Sequence, residues 1–499
     1  MSVVLDKDVI LSEASIWQRQ CDFYAREGVT AWYNQVPFYA TSNAFIARAY
    51  ADMIKNFMDD WHAQHGGQQF YILELGAGCG QFSYLCLQSL HTHSAAVDYK
   101  WHYLMSDFDN KLLSFWRDHP GFKPFLDTGC LSVLQLTIGD DIKSLFEPLV
   151  TTDTPLIVIA NYLFDSLPAD IYRVCNEELF PVKVTLTTTR DNLNDQNAVI
   201  DFEQVAMACN VVEQPMITEN VLLQQYRTEL LDSYLLYPQV GIKLLDQLRN
   251  LLPQGFLLLA TDKAYGNSEE LDYLEAPELT GHNGCFSIMV NFDALARYAK
   301  LYKGEACITS TRAGIKTAAI SVGFSLENFN YLDSVMQQHI QRFAPTDYLN
   351  FYRNMQKKIA TFNLEEAISM LALSNWDSIV FQRLYKLILE QLDGADMLTI
   401  NYLLEHLPTI ASHYYWLEQT EDVLFQIAII FHTLKMYSQA LKYYEQSLVY
   451  FPGIFGLYFN MGVCHYHLGQ IFWARQCFEQ AQQLDPADKK TQEWLSRLN

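Results

Sequence analysis

A chain of 499 residues, half of them hydrophobic and 18% charged, has enough apolar sequence for more than one buried core and is not a disordered polymer. Its 57 Asp and Glu against 34 Lys and Arg give a net charge of −23, which disfavours nucleic acid and anionic membrane surfaces as partners and suits basic protein segments or neutral small molecules. No apolar run approaches the ~18 residues of a membrane span, and the N-terminus fits neither a secretory signal nor a presequence. Ten cysteines without a CxxC pair read as reduced thiols, so the expectation is a cytoplasmic protein without a bound metal.

Residues 1–70 read as mainly helical, with Thr41-Ser42-Asn43 capping a helix over 44–61. From about residue 70, short apolar runs at 71–75, 102–105, 131–136, 156–160, 182–186 and 256–260 alternate with helical stretches. Runs at 306–309 and 318–322 fit closing strands. Such alternation predicts an α/β fold with a largely parallel sheet covered on both faces.

The stretch Ile72-Leu73-Glu74-Leu75-Gly76-Ala77-Gly78-Cys79-Gly80 carries the most chemistry. An apolar strand ends in a carboxylate, glycines follow at every second position, and an amphipathic helix begins near Phe82. Glycines there let the backbone turn tightly and bring a ligand to the helix N-terminus. The spacing differs from the GxGxxG of dinucleotide folds. This E-x-G-x-G-x-G form resembles the first motif of class I S-adenosylmethionine (SAM) methyltransferases. The resemblance implies a Rossmann-like domain whose turn, through Gly76, Ala77, Gly78 and Gly80, cradles the methionine end of SAM, with Glu74 reaching its amino group directly or through water.

The second strand ends at Asp107, where a carboxylate accepts hydrogen bonds from ribose hydroxyls. Phe108 beside it joins the cofactor set. Asp109 is the alternative ribose partner, and either acid also fits a helix cap. After the third strand comes Gly139-Asp140-Asp141; Asp140 suits either the adenine amino group or an N-cap. The fourth strand runs into Ala160-Asn161-Tyr162-Leu163-Phe164-Asp165-Ser166-Leu167-Pro168. This A-N-x-x-F-D-x-L-P string resembles the MidA-like methyltransferases, whose mitochondrial members include a protein-arginine methyltransferase acting on a complex I subunit. Val36 to Ser42 is similar to that family's cofactor-covering segment, Asp262 falls in a strand similar to its IDYG element, and Gly284 through Leu295 is similar to its late motif. The resemblance spans about 25–325.

That family has Glu where this chain has Tyr162, and a phenol of ordinary pKa ~10 is a poor base near neutrality. Asp165 is therefore the expected acceptor-side carboxylate, with helix capping as its alternative. Asn161 is expected to contact cofactor or acceptor, and Asn161, Tyr162 and Asp165 form the candidate catalytic set. His282 and Asp262 belong near the same mouth, although a loop histidine is more often solvated. Trp32, Tyr33, Phe38 and Tyr39 suit either a shield over SAM or plain core.

After about residue 326 strand signals stop, and the remainder reads as helical with an internal 34-residue period. Ala428 matches Gly462, Ala440 matches Ala474, Tyr444 matches Phe478, and Pro452 matches Pro486. Small residues let paired helices approach, the aromatic fills their groove, and proline ends the second helix. The pattern is similar to the tetratricopeptide repeat, at 421–454 and 455–488. The expected organisation is a SAM-dependent methyltransferase domain over 1–326 and an all-α tetratricopeptide-like repeat domain over 327–499. The expected activity is methyl transfer from SAM to a protein side chain, with the repeats docking substrate or partner. The alternatives are an inactive scaffold acting through its repeats and a small-molecule methyltransferase.

Overall fold

Side chains alternate across a strand, so a strand buried on both faces must be apolar at every position. The computed structural model, which describes residues 2–34, 38–93, 99–139, 153–193, 200–310 and 314–498, shows where such strands went. The chain divides into two units, Met1–Asn350 and Phe351–Asn499. The strands of the first are β1 (Ser2–Ile10), β2 (Gln69–Leu75), β3 (Lys100–Asp107), β4 (Leu131–Gln135), β5 (Leu156–Asn161), β6 (Asp170–Cys175), β7 (Glu178–Thr189), β8 (Ala206–Val211), β9 (Asp232–Tyr237), β10 (Phe256–Tyr265), β11 (Thr280–Gly281), β12 (Phe286–Ser287), β13 (Val290–Asn291), β14 (Ala306–Ile308) and β15 (Ile315–Val322).

The main sheet has the order β14-β15-β10-β5-β2-β3-β4. β2, β3, β4, β5 and β10 are parallel, while β15 runs antiparallel to β10 and β14 antiparallel to β15. The chain leaves β2 for β3 and β4 on one side, then returns to β5 on the other. That reversal opens a crevice at the carboxyl ends of β2 and β5, the place where open α/β sheets bind ligands. Leu156, Val158 and Ala160 of β5 share one core with Phe256, Leu258 and Ala260 of β10, and with Leu244, Leu248 and Leu295 of the helices Gln239–Leu251 and Phe292–Leu301. On the opposite face, Tyr50 of the helix Ala44–His65 reaches Asn161 and Thr261. That helix starts as expected: the Asn43 side chain accepts from the Ile46 amide, and Gly66 ends it in a left-handed conformation.

Residues 1–70 are mainly helical, but their first segment, β1, is a strand. One strand expectation requires correction. The run at 182–186 does not join the parallel sheet. It lies in β7, whose antiparallel pairing with β1, β6 and β8 makes a second sheet of order β1-β7-β6-β9. Periodicity identifies a strand but not its partner. β7 alternates buried and half-exposed residues, the texture of a sheet with one covered face. The helix Asn330–Met336 packs against Ala44–His65, so the first unit continues past residue 326 to Asn350.

In the second unit, helices Val423–Thr433, Tyr437–Tyr450, Phe455–His467 and Ile471–Leu484 pack in sequence as two hairpins. A β-carbon on Gly462 would come within 2.8 Å of the Phe478 ring, which explains the small residue opposite the aromatic. Ala440, Tyr444, Ala474 and Phe478 are fully buried. No helix among the described residues is long and apolar enough to cross a membrane.

Candidate functional site

The loop after β2 is built around three glycines with φ of 68° at Gly76, 57° at Gly78 and 85° at Gly80, a region that L side chains seldom adopt. Its turns are tied to neighbouring strands. The Ala77 amide donates to the Ser106 carbonyl at 2.9 Å, the Gly80 amide to the Ala77 carbonyl at 3.0 Å, and the Trp116 indole to the Gly78 carbonyl at 3.2 Å. Asp107, at the end of β3, accepts from the Gly78 amide at 3.1 Å and from the Phe108 amide at 2.8 Å. It thus closes the loop onto the neighbouring strand. Burial nonetheless pushes its carboxyl up to about 6.

Glu74, next to last in β2, is 3% exposed. Its Oε2 accepts from Ser83 Oγ at 2.5 Å and from the Tyr103 hydroxyl at 2.7 Å. Burial outweighs these two donors and lifts the carboxyl to about 7. A buried carboxylate with two neutral donors and no cation is suited to a positively charged ligand group.

A cavity of about 760 Å³ opens at the sheet's switch point. Glu74, Gly76, Ala77, Gly78, Asp107 and Phe108 line it on the glycine-loop side, with Leu136 to Gly139 after β4. Asn161, Tyr162 and Asp165 line it beyond β5. Gly80 does not reach the wall, since its amide is spent closing the turn. Asp140 lies outside the described residues. Asp109 caps the helix Asn110–Asp118, accepting from the Lys111 amide at 3.0 Å, and is not on the wall. Trp32 lies on the wall against the loop, where a β-carbon on Gly78 would come within 2.7 Å of its ring. Tyr33 and Tyr39 are not on it; Tyr39 instead meets the Tyr348 hydroxyl at 3.1 Å. Residues 35–37 and the Phe38 side chain fall outside what the structure describes.

Asn161 accepts from the Tyr50 hydroxyl at 2.6 Å, and Tyr50 in turn is 2.8 Å from Thr261 Oγ1. The Asn161 Nδ2 is buried with no partner among the described residues. Tyr162 holds a left-handed φ of 48°, uncommon for a non-glycine residue, with its amide donating to the Thr261 carbonyl at 2.9 Å. Asp165 sits at 4% exposure with its amide donating to Asp262 Oδ2 at 3.1 Å. The two carboxyls are buried neighbours, and desolvation raises both; their mutual repulsion adds to the effect at Asp262. Asp262 stands behind Asp165 and off the wall.

Sequence reasoning missed several wall residues: Trp17, Tyr24, Lys263, Cys285 and Ser287. They come from the N-terminal helix Ile16–Glu27, the end of β10 and the segment through β12, which no local pattern joins. Only Lys263, directly after the strand-end Asp262, carried a signal. His282, expected more often in solvent, is on the wall, and burial lowers its pKa. Burial pushes the Cys285 thiol up to about 11, so it stays protonated. Among the described residues no group of three His, Cys, Asp or Glu side chains is placed to hold a metal.

The glycine cradle, the buried Glu74 and the unpartnered Asn161 Nδ2 fit a cofactor with a cationic end and hydrogen-bonding groups. Residues 53–273 match a family described as "Putative S-adenosyl-L-methionine-dependent methyltransferase", and 455–488 match the tetratricopeptide repeat. The first unit is a SAM-dependent methyltransferase domain of Rossmann-like fold, with SAM as its cofactor. Among solved structures, a Burkholderia thailandensis protein with S-adenosylhomocysteine (SAH) bound is 11% identical, with 62% of this chain and 94% of that chain covered and a TM-score of 0.38. An uncharacterised protein from the same organism is 10% identical over the same shares, with a TM-score of 0.36. MamA from Desulfovibrio magneticus is 14% identical over 31% of this chain and 84% of its own, with a TM-score of 0.25. No curated protein matches the chain.

Proposed function

We propose that the chain is a divergent MidA-like enzyme that methylates a protein side chain. SAM, when bound, supplies a methyl group already activated on sulfur. The chain's own residues then position the acceptor, keep water away and take up a proton where the nucleophile carries one. The observation that supports this reading best is the placement of Asp165. It is a buried carboxyl on the cavity wall beyond β5, raised towards neutrality, and Asn161, whose Nδ2 is buried without a partner among the described residues, lines the same cavity. In that setting Asp165 is the proton acceptor and Asn161 orients cofactor or acceptor. Tyr162 lines the wall between them, and a phenol is in general a weak base near neutrality. Glu74 holds the cofactor's amino group, and Asp107 serves its ribose while bracing the loop. The repeat unit supports a protein acceptor, since stacked helical hairpins commonly present protein-docking surfaces.

The test begins with calorimetric titration of the full chain with SAH, followed by incubation with methyl-labelled SAM and fractionated cell protein. One-site SAH binding and label in a protein band, both lost in Gly78→Val, are expected. Label confined to small molecules would overturn the protein acceptor. SAH binding without any transfer would favour an inactive scaffold, and no SAH binding would sink the assignment of the site.

A further inference from the structure

The acceptor side of the cavity holds a cation that the reaction scheme above does not use. Lys263 follows Asp262 near the end of β10, and its ammonium donates to Ser287 Oγ at 3.0 Å. No carboxylate forms an ion pair with it among the described residues, although Asp165 shares the same wall. Its charge adds to the burial that lowers the pKa of His282, and at Asp165 it favours the ionised form against burial. The other wall carboxyls near the loop are already occupied. Glu74 takes Ser83 and Tyr103, and Asp107 takes two backbone amides. A guanidinium or ammonium entering beside Asp165 would therefore meet the like charge of Lys263 on the same wall.

A half-enclosed ammonium with one neutral hydrogen-bond partner is a ready receptor for a carboxylate, because charge-assisted bonds are the stronger kind and an unpaired buried charge costs free energy. The net charge of −23 does not oppose this at contact range. Charges beyond about 8 Å are largely screened at physiological salt, so the local cation decides. We propose that Lys263 recognises a carboxylate of the methyl acceptor, a glutamate or aspartate flanking the side chain that is methylated. The inference rests on the methyltransferase reading of this cavity and narrows its substrate to an acidic segment.

Fluorescein-labelled nonapeptide pools with a degenerate centre, flanked by Glu, by Gln or by Lys, would be titrated by anisotropy into the full SAH-loaded chain. We expect the Glu pool to bind at least tenfold tighter than the other two. Lys263→Met should bring it to the level of the Gln pool and Lys263→Arg should restore the preference, with melting midpoints confirming that both variants fold. The proposal is overturned if the Lys pool binds best, if the Glu preference survives in Lys263→Met, or if no pool binds a chain that binds SAH. Free glutarate displacing the Glu pool at equal concentration would retain the carboxylate site but overturn a peptide as its source. Failure to bind SAH would instead strike the methyltransferase reading itself.

Discussion

Glu74, Asp107 and Asp165 are three carboxyls within one cavity that desolvation holds above their ordinary range. Their folded-state pKa values exceed the unfolded ones, so the stability they contribute is complete below about pH 4 and is lost as pH rises through about 6 to 7. The melting midpoint of the cofactor-free chain should therefore fall between pH 5 and pH 8, and Glu74→Gln should flatten that slope. Cofactor binding has the opposite sign. The amino group of SAH favours ionised carboxylates, so affinity should rise with pH over the same interval, by about tenfold, and lose most of that rise in Glu74→Gln. For Asp165→Asn, a substitution that keeps size and removes the proposed proton acceptor, methyl transfer at saturating SAM should drop by about 100-fold, the usual range for a general base. SAH affinity should change little, and calorimetry beside the transfer assay separates the two.

At the level of elements, what could be read ahead was whatever local chemistry fixes. The glycine spacing announced left-handed turns because only glycine adopts them at little cost, and all three carry positive φ. The Asn43 cap and the 34-residue period were legible for similar reasons. The destination of β7 was not, since pairing with β1 across more than 170 residues leaves no local mark. Nor was the wall built by Tyr24, Lys263 and Ser287, which share only a place in space. The repeat offers an element-scale test. Gly462→Ala puts a methyl group 2.8 Å from the Phe478 ring, an overpacking expected to cost about 1–3 kcal/mol. Limited proteolysis should show the 455–484 hairpin cut faster while SAH binding is unchanged.

Across the whole molecule, two units of different architecture share one chain. A ligand stabilises the unit that binds it in proportion to its occupancy. Scanning calorimetry should show SAH raising the transition of the unit Met1–Asn350 and leaving that of Phe351–Asn499 in place. One transition moving as a block would mean that the two unfold together. The sequence by itself determined the α/β class, the glycine loop with its flanking carboxylates, the A-N-x-x-F-D-x-L-P corner and the helical repeat. Each is a short-range consequence of backbone freedom, side-chain alternation or helical period. Only the tertiary structure decided that Asp165 and Asp262 are buried neighbours, that Asn161 Nδ2 is buried without a partner among the described residues, and that Lys263, held by Ser287, lies on the same cavity wall as Asp165. Desolvation and charge pairing depend on what surrounds a group, and the groups around these come from distant parts of the chain.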